Sequence, residues 1–360
     1  MKNGDFDAGP ETAEARWPAR ERQSPITQSP INNALKAPAA EAGMHDRAIC
    51  FFSQGEAKPR RIAQNSVELT TATRSPSLIR ALRPYQWVKN LLVFVPLVSS
   101  HRLLEVDLAL AATLTFVCFC LCASGNYIAN DLVDVEADRQ HPRKKVRPFA
   151  AGAFSVPVAV LSSLALIVAG VSLATSAGRA GVATILVLYV ALAMAYSLKL
   201  KRAPVTDVFV LTSFYVLRVV AGSVATGIIL SGWLLAFALF FFLSLAFVKR
   251  YTELQGVDGV MPGRGYTTAD GRWMHSIGVS AGYMAVLVLA LYINSPEVTK
   301  LYSRPVVLWV LCPLLLYWVT RVWYNATRGK MVDDPVLAAV RDPFSYAVGL
   351  IGAGVMYAAL

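Results

Sequence analysis

The chain has 360 residues, of which 55% are hydrophobic and 16% are charged, and its formal net charge is +11 at pH 7. This composition is too apolar for an ordinary soluble domain of that length and indicates a polytopic membrane protein. The five cysteines lack the paired spacing of a zinc site or a disulfide framework, so both are excluded.

Residues 1–76 differ in composition from the rest of the chain. They mix Pro, Ser, Ala, Gln and charges of both signs, with no sustained helical period and no apolar run of signal-peptide length. We interpret them as a disordered cytosolic tail, followed by one transmembrane domain over residues 77–360.

Apolar runs long enough to cross a hydrocarbon core of about 30 Å follow this tail. They lie at 88–104, 108–130, 155–175, 180–198, 206–226, 232–250, 276–294, 304–323 and 342–360. The sequence therefore predicts an all-α polytopic membrane protein with about nine transmembrane helices.

Basic residues flank these predicted spans mainly on one side of the membrane. Nineteen Lys and Arg residues adjoin one set of alternating loops, and only four adjoin the other set. Because basic loops stay in the cytosol, the N-terminus is predicted to be cytosolic and the C-terminus to lie outside. The same bias accounts for most of the positive charge, so no nucleic-acid partner is predicted.

The stretch NDLVDVEADRQHPRKKVRP begins at Asn130, near the end of the second predicted span, and gathers acids followed by bases. If the helix continues to Asp138, the asparagine and three aspartates are spaced by three to four residues and share one face. Carboxylates this close repel one another unless a cation lies among them. Oxygen ligands suit Mg²⁺ bound to a diphosphate better than they suit zinc. The predicted magnesium ligands and catalytic residues are Asp131, Asp134 and Asp138; a solvated helix end is the alternative.

The following HPRKKVRP segment supplies cations in a loop bounded by prolines. Lysine can hold phosphate oxygens as a point charge and arginine as a two-pronged donor. A plain positive-inside loop is the alternative. The candidate substrate contacts in and beside this segment are Asn130, His141, Lys144 and Arg147.

Several motifs resemble the UbiA superfamily of intramembrane prenyltransferases. NDLVDVEAD resembles the first aspartate-rich motif of that superfamily. Four further motifs resemble the branch typified by decaprenyl-phosphate phosphoribosyltransferase, which rhizobial nodulation proteins also resemble; they are RPYQWVKN, DRQHPRKKVRPFAAG, LRVVAG and KRYTEL. The resemblance runs from Leu78 to the C-terminus, and it implies nine helices ringed around a central cavity that opens to the lipid.

The resemblance also implies an activity. That branch transfers 5-phosphoribose from phosphoribosyl diphosphate to a polyprenyl phosphate with Mg²⁺ as cofactor. The product is a lipid-linked arabinose precursor, used for the cell wall or for arabinosylating signal molecules in nodulation. The protein is accordingly expected in the bacterial inner membrane, with its active site facing the cytosol. Both a monomer and a homo-oligomer are compatible with the sequence.

The loop after the sixth predicted span departs from the aromatic prenyltransferases of the superfamily. Those enzymes carry a second aspartate-rich motif there, whereas none of the three acids in KRYTELQGVDGVMPGRGYTTADGRW is paired one helical turn from another. A direct cationic grip on phosphate by Lys249, Arg250 and Tyr251 is expected instead. An aromatic polyprenyltransferase using an isoprenoid diphosphate is the alternative function, and a transporter without enzymatic activity is the second alternative.

Polar residues inside the other predicted spans complete the set of candidates. Asp207 and Arg218 face the same way on the fifth span but lie about 16 Å apart along the helix, so they cannot pair directly. With Tyr215 between them, they line a cavity or meet neighbouring helices. The motifs add three substrate-contact candidates near span ends, namely Lys89, Tyr196 and Lys201.

Overall fold

The computed structural model describes residues 78–140, 144–331 and 334–360, and these residues are almost entirely helical. The tail predicted over residues 1–76 lies outside them. The α-helices are α1 Leu78–Leu82, α2 Val95–Ser99, α3 Val106–Val133, α4 Val135–Gln140, α5 Val156–Ser176, α6 Ala180–Leu198, α7 Thr206–Thr226, α8 Gly232–Leu254, α9 Gly271–Ile293, α10 Pro296–Leu301, α11 Leu311–Thr327, α12 Pro335–Arg341 and α13 Pro343–Ala359. The 3-10 helices are Pro84–Phe94, Lys144–Val146, Leu200–Arg202, Thr268–Asp270 and Pro305–Val310.

Seven helices in the described residues are long and apolar enough to cross a membrane, so the protein is a multi-pass membrane protein. They correspond to the second through eighth predicted spans. α12 and α13 form an eighth candidate, bent by 83° between them. The predicted count of nine is therefore not reached.

The predicted first span, 88–104, takes a different form. It is a 3-10 helix, Pro84–Phe94, continued by the single turn of α2. Pro96 stands at the start of α2, and proline cannot donate the backbone hydrogen bond that an uninterrupted α-helix requires at that position. The segment is therefore a broken helix, and it falls outside the set of long candidate spans.

The long helices pack in chain order and close a ring. α3 packs against α5, and α6, α7, α8, α9, α11 and α13 each pack against the long helix before them. The Pro84–Phe94 segment contacts α3, α7 and α12. Helices that are neighbours along the chain account for most of the ring, and the Pro84–Phe94 segment and α12 link its first and last members.

Two apolar cores lie within this ring, and α7 contributes to both. One is centred on α8, α9 and α11, and the other on α3, α6 and the first broken helix. α7 also carries buried polar side chains, among them Asp207 and Arg218.

Gly222 of α7 allows the first broken helix to approach α7 closely. A Cβ built on Gly222 would lie 1.9 Å from the carbonyl oxygen of Val93. We expect Gly222→Ala to destabilise the protein by at least about 1–3 kcal/mol, because the two backbones must separate. Thermal unfolding of the detergent-purified variant measures this. Gly349→Ala is the control, since nothing lies within 4 Å of its added Cβ; equal stability of the two variants would contradict the argument.

Candidate active site

The acidic face predicted at the end of the second span is present in the structure. α3 ends at Val133 and α4 begins two residues later, but helical hydrogen bonding continues across the junction. The Asp134 amide donates to the Asn130 carbonyl at 3.0 Å, and the Asp138 amide donates to the Asp134 carbonyl at 2.8 Å. The carboxylates therefore keep the spacing that puts them on one side of the chain.

Each of these three carboxylates contacts a cationic side chain. Arg147 Nη1 donates to Asp138 Oδ2 at 2.6 Å and to Asp131 Oδ1 at 3.2 Å. Arg83 also donates to Asp131. Lys201 donates to Asp134. Positive side chains thus offset the repulsion that the sequence leads us to expect among the acids.

Asn130 links this acidic cluster to α6. Its Nδ2 donates to Asp134 Oδ2 at 3.2 Å, and its Oδ1 accepts from Ser197 Oγ at 2.9 Å. One turn earlier on α3, both polar atoms of the buried Asn126 amide have no hydrogen-bond partner in the described part of the chain. An unpartnered buried amide beside the cluster has donor and acceptor capacity free for a bound polar group.

The acidic cluster offers carboxylate and amide oxygens, which are the donor atoms that a hard divalent cation prefers. Asp131 and Asp138 already direct oxygens at one positive centre, the Arg147 guanidinium. Within the described residues, however, no three His, Cys, Asp or Glu side chains lie close enough together to hold a metal ion. The predicted three-carboxylate magnesium site requires these side chains to rearrange, and it remains a prediction.

Arg83 was not among the candidates from the sequence, although RPYQWVKN contains it. Its backbone is left-handed, with φ 52° and ψ 57°, which is uncommon for a residue with a side chain. The guanidinium lies 5.2 Å from the centre of the Tyr127 ring and reaches Asp131.

A second group of charges surrounds Asp334, which the sequence analysis also missed. Lys89 Nζ donates to Asp334 Oδ2 at 2.7 Å, and Lys249 Nζ lies 3.4 Å from the same oxygen. Burial of the carboxyl favours its neutral form, but the ammonium groups of Lys249 and Lys89 outweigh this and hold the pKa of Asp334 well below its ordinary value. Two predicted phosphate ligands from distant parts of the chain therefore meet at one carboxylate.

Arg218 is buried and has no ion pair within the described residues. Its Nε donates to Asn90 Oδ1 at 2.7 Å and its Nη2 to Tyr189 OH at 3.1 Å. Nη1 donates to the carbonyl oxygen of Phe214. All of these partners are neutral, so the guanidinium charge is not cancelled by a bonded carboxylate. As expected from their spacing, Arg218 and Asp207 do not pair.

Asp207 belongs to a separate buried network with Arg250. Arg250 donates to Asp207 and to Glu253, and also to the phenol oxygen of Tyr196. Arg264 donates to Tyr196 at 2.9 Å and to Asp207 at 3.3 Å. Three predicted substrate contacts therefore belong to one network, in which Tyr196 and Asp207 each accept from Arg250. Asp207 and Arg250 are fully buried, so this geometry favours a structural role for the pair.

Tyr266 closes the same network from the loop after α8. Its hydroxyl donates to Asp207 Oδ1 at 2.8 Å and accepts from the Val205 amide at 2.8 Å. Burial and the negative charge of Asp207 raise the pKa of Tyr266, which keeps the phenol protonated as a donor.

The remaining candidates are placed away from these clusters or lie outside the described residues. Tyr251 packs against His275 and Trp323, with ring centres 5.7 and 5.8 Å away, and does not reach the α3 carboxylates. Lys144 begins a short 3-10 helix, but its side chain is outside what is described, as is the whole of His141.

A cavity of about 400 Å³ lies near the opposite ends of the helices from the acidic cluster. Apolar side chains from the α7–α8 connection, α8 and α9 dominate its lining, including Ile228, Leu230, Phe237 and Val288. Such a cavity suits a hydrocarbon group and not the phosphate chemistry of the charged clusters.

The sequence pattern of the UbiA prenyltransferase family matches residues 93–339. The chain belongs to that family. It is 39% identical over 269 residues to the nodulation protein NoeC of Azorhizobium caulinodans, covering 73% of this chain and 86% of NoeC. It is 44% identical over 183 residues to the decaprenyl-phosphate phosphoribosyltransferase of Mycolicibacterium smegmatis, covering 49% of this chain and 57% of that protein. The chain spans about half, 53%, of the length of another rhizobial relative.

The fold agrees with the family. A UbiA homolog from Archaeoglobus fulgidus bound to GPP and Mg²⁺ superposes with a TM-score of 0.56 at 16% identity, over 78% of this chain and 96% of that chain. At this identity the likeness establishes the all-helical UbiA fold alone. The resemblance seen in the sequence motifs is thereby confirmed for the family, through both sequence and structure.

Proposed function

We propose that the protein transfers 5-phosphoribose from phosphoribosyl diphosphate to a polyprenyl phosphate at the inner bacterial membrane, with the N-terminus and active site on the cytosolic side. The observation that carries this proposal is a group of three cations with a single bonded carboxylate. Lys89 and Lys249 share Asp334, and the buried Arg218 bonds only to neutral partners in the described residues. Such a site attracts phosphate groups, and relatives named decaprenyl-phosphate phosphoribosyltransferase match the chain at 38–44% identity.

The reaction needs a leaving group and an acceptor but no nucleophilic side chain. The bond between C1 of the ribose and the diphosphate oxygen breaks as an oxygen of the lipid phosphate forms a new bond to C1. At neutral pH a phosphate monoester already offers an anionic oxygen, so no general base is required. The product would be a lipid-linked precursor of arabinose, for the cell wall or for arabinosylated signal molecules in nodulation.

In this scheme the acidic cluster and the lysines have separate tasks. Asp131, Asp134 and Asp138 would hold Mg²⁺, which when bound supplies positive charge that stabilises the departing diphosphate. Lys89, Lys249 and Arg218 bind phosphate oxygens and orient the two substrates. The apolar cavity has room for part of the isoprenoid chain of the acceptor lipid.

The test uses purified protein in two reactions. One contains labelled phosphoribosyl diphosphate and decaprenyl phosphate, and the other contains an isoprenyl diphosphate and 4-hydroxybenzoate. Mass spectrometry of the lipid fraction should find phosphoribosylated lipid in the first and no prenylated ring in the second. The reverse pattern would establish the aromatic prenyltransferase alternative, and flux through proteoliposomes with neither product would establish the transporter.

Metal dependence is tested separately. Chelation with EDTA should abolish phosphoribosyl transfer, and added Mg²⁺ should restore it, because the carboxylates alone cannot stabilise the charge of the leaving diphosphate. The measurement is the rate of lipid labelling at increasing free Mg²⁺. Transfer that continues at full rate in EDTA would remove magnesium from the scheme.

A further inference from the structure

Asp334 joins two lysines from distant parts of the chain. Lys89 belongs to the first broken helix, and Lys249 to the last turns of α8. Both ammonium groups contact the same oxygen, Oδ2, at 2.7 and 3.4 Å. The other oxygen, Oδ1, accepts from the Val336 amide at 3.2 Å and so caps α12. One carboxylate therefore fixes two cations and is itself fixed by the start of a helix.

The three side chains of this group are mostly shielded from solvent. The side chains of Asp334 and Lys89 are only 8% and 11% exposed, and that of Lys249 is 27% exposed. Two ammonium groups that contact the same oxygen repel one another. The carboxylate offsets this repulsion, yet it cancels only one of the two positive charges. The pair retains a net positive charge while its geometry is held.

Further groups extend the positive region around the pair. The Lys89 ammonium lies 5.9 Å from the centre of the Tyr215 ring, and Arg83 and Arg218 are within electrostatic range of it. Among the described residues, Asp334 is the carboxylate that bonds to both Lys89 and Lys249. The region carries a net positive charge, and a dianionic phosphate group would neutralise it.

We propose that Asp334 is a positioning residue that holds Lys89 and Lys249 together as one binding site for a phosphate group of the substrates. This inference rests on the proposed function for the identity of those substrates. Asp334 holds both ammonium groups in place, and the phosphate binds on the side of the lysines away from Oδ2. The group comes either from phosphoribosyl diphosphate or from the polyprenyl phosphate.

Asp334→Asn tests the role of the charge. Asparagine caps helices as well as aspartate does, so α12 keeps its N-cap while the lysines lose their counter-charge. We expect the KM for one of the two substrates to rise about 10-fold or more, with kcat changed by less than about 3-fold, because the loss falls on phosphate binding. Steady-state assays that vary each substrate in turn identify which phosphate is bound. Asp334→Glu, which retains the charge, should recover part of the affinity.

Asp342→Asn is the matched control. Asp342 also precedes a proline and caps a helix, α13, and it also pairs with a basic side chain, Arg321 at 2.6 Å. It has no contact with Lys89 or Lys249. We expect its KM values to match those of the unmodified protein.

Calorimetry separates failure of this inference from failure of the proposed function. Titration of inorganic diphosphate into purified protein should show weaker binding to Asp334→Asn than to Asp342→Asn, whether or not phosphoribose is transferred. If the unmodified protein transfers phosphoribose but Asp334→Asn leaves both KM values and diphosphate affinity unchanged, Asp334 has no positioning role. Tighter binding by Asp334→Asn would overturn the inference as well, because the carboxylate would then be competing with the phosphate.

Discussion

Replacing Asp131 with Asn should lower phosphoribosyl transfer by at least about 100-fold. Asp131 is 2% exposed and lies between the guanidinium groups of Arg83 and Arg147. Asparagine preserves the shape of the side chain but removes the negative charge, so the site loses one of its anionic ligands for a divalent cation. Rates of lipid labelling, measured at saturating substrate over a range of Mg²⁺ concentrations, give the size of the loss.

The loss must be distinguished from misfolding, since the variant leaves two arginines close together without their shared carboxylate. Size-exclusion chromatography and thermal unfolding in detergent report whether the variant is folded. Glu136→Gln is the control on the neighbouring segment, because Glu136 is 77% exposed and, among the described residues, its ion pair is with Arg139. Its activity should be unchanged. A folded Asp131→Asn protein with full activity would refute the metal assignment.

Replacing Arg250 with Ala should destabilise the protein by about 3–5 kcal/mol. The Arg250 side chain is 0% exposed, and it bonds to Asp207 and Glu253 as well as to Tyr196. Without the guanidinium, Asp207 stays fully buried with one cationic partner fewer, which is the costly consequence of breaking a buried ion pair. The midpoint of thermal unfolding in detergent should fall sharply.

Two further variants refine this prediction. Lysine keeps the positive charge but lacks the planar guanidinium that bonds to three acceptors at once. The stability of Arg250→Lys should therefore be intermediate. Arg272→Ala, at an exposed position near the start of α9, should unfold like the unmodified protein. If Arg250→Ala instead kept its stability and lost only substrate affinity, Arg250 would be the substrate ligand that the sequence suggested.

The contrast between Arg250 and Lys249 shows how far sequence reasoning reaches at the end of α8. Both residues stand in the motif KRYTEL, and both were predicted to bind phosphate. In the structure Lys249 turns towards Asp334, whereas Arg250 turns towards Asp207 on α7. Adjacent residues on a helix point about 100° apart, so they meet different neighbours. Which neighbour each one meets depends on helix packing, and a motif does not contain that information.

Asp334 and Arg83 were missed for a similar reason. Asp334 and its neighbour Asp333 lie in a loop after a late span, with no further acid one helical turn away, and Arg83 is one of many basic residues that flank a span. Their importance lies in contacts across long sequence separations, to Lys89 in one case and Asp131 in the other. Only a homologous motif, such as RPYQWVKN around Arg83, could have pointed to either of them.

The sequence by itself determined the membrane class, seven of the long spans and the shared face of Asn130, Asp134 and Asp138. These features are local, because apolar length and helical spacing act within one segment. The tertiary structure alone decided that Lys201 meets Asp134 and that Arg218 lies among neutral partners. Such pairings arise when separate helices pack into a ring, since packing sets which buried charges can reach one another and which are left for a substrate.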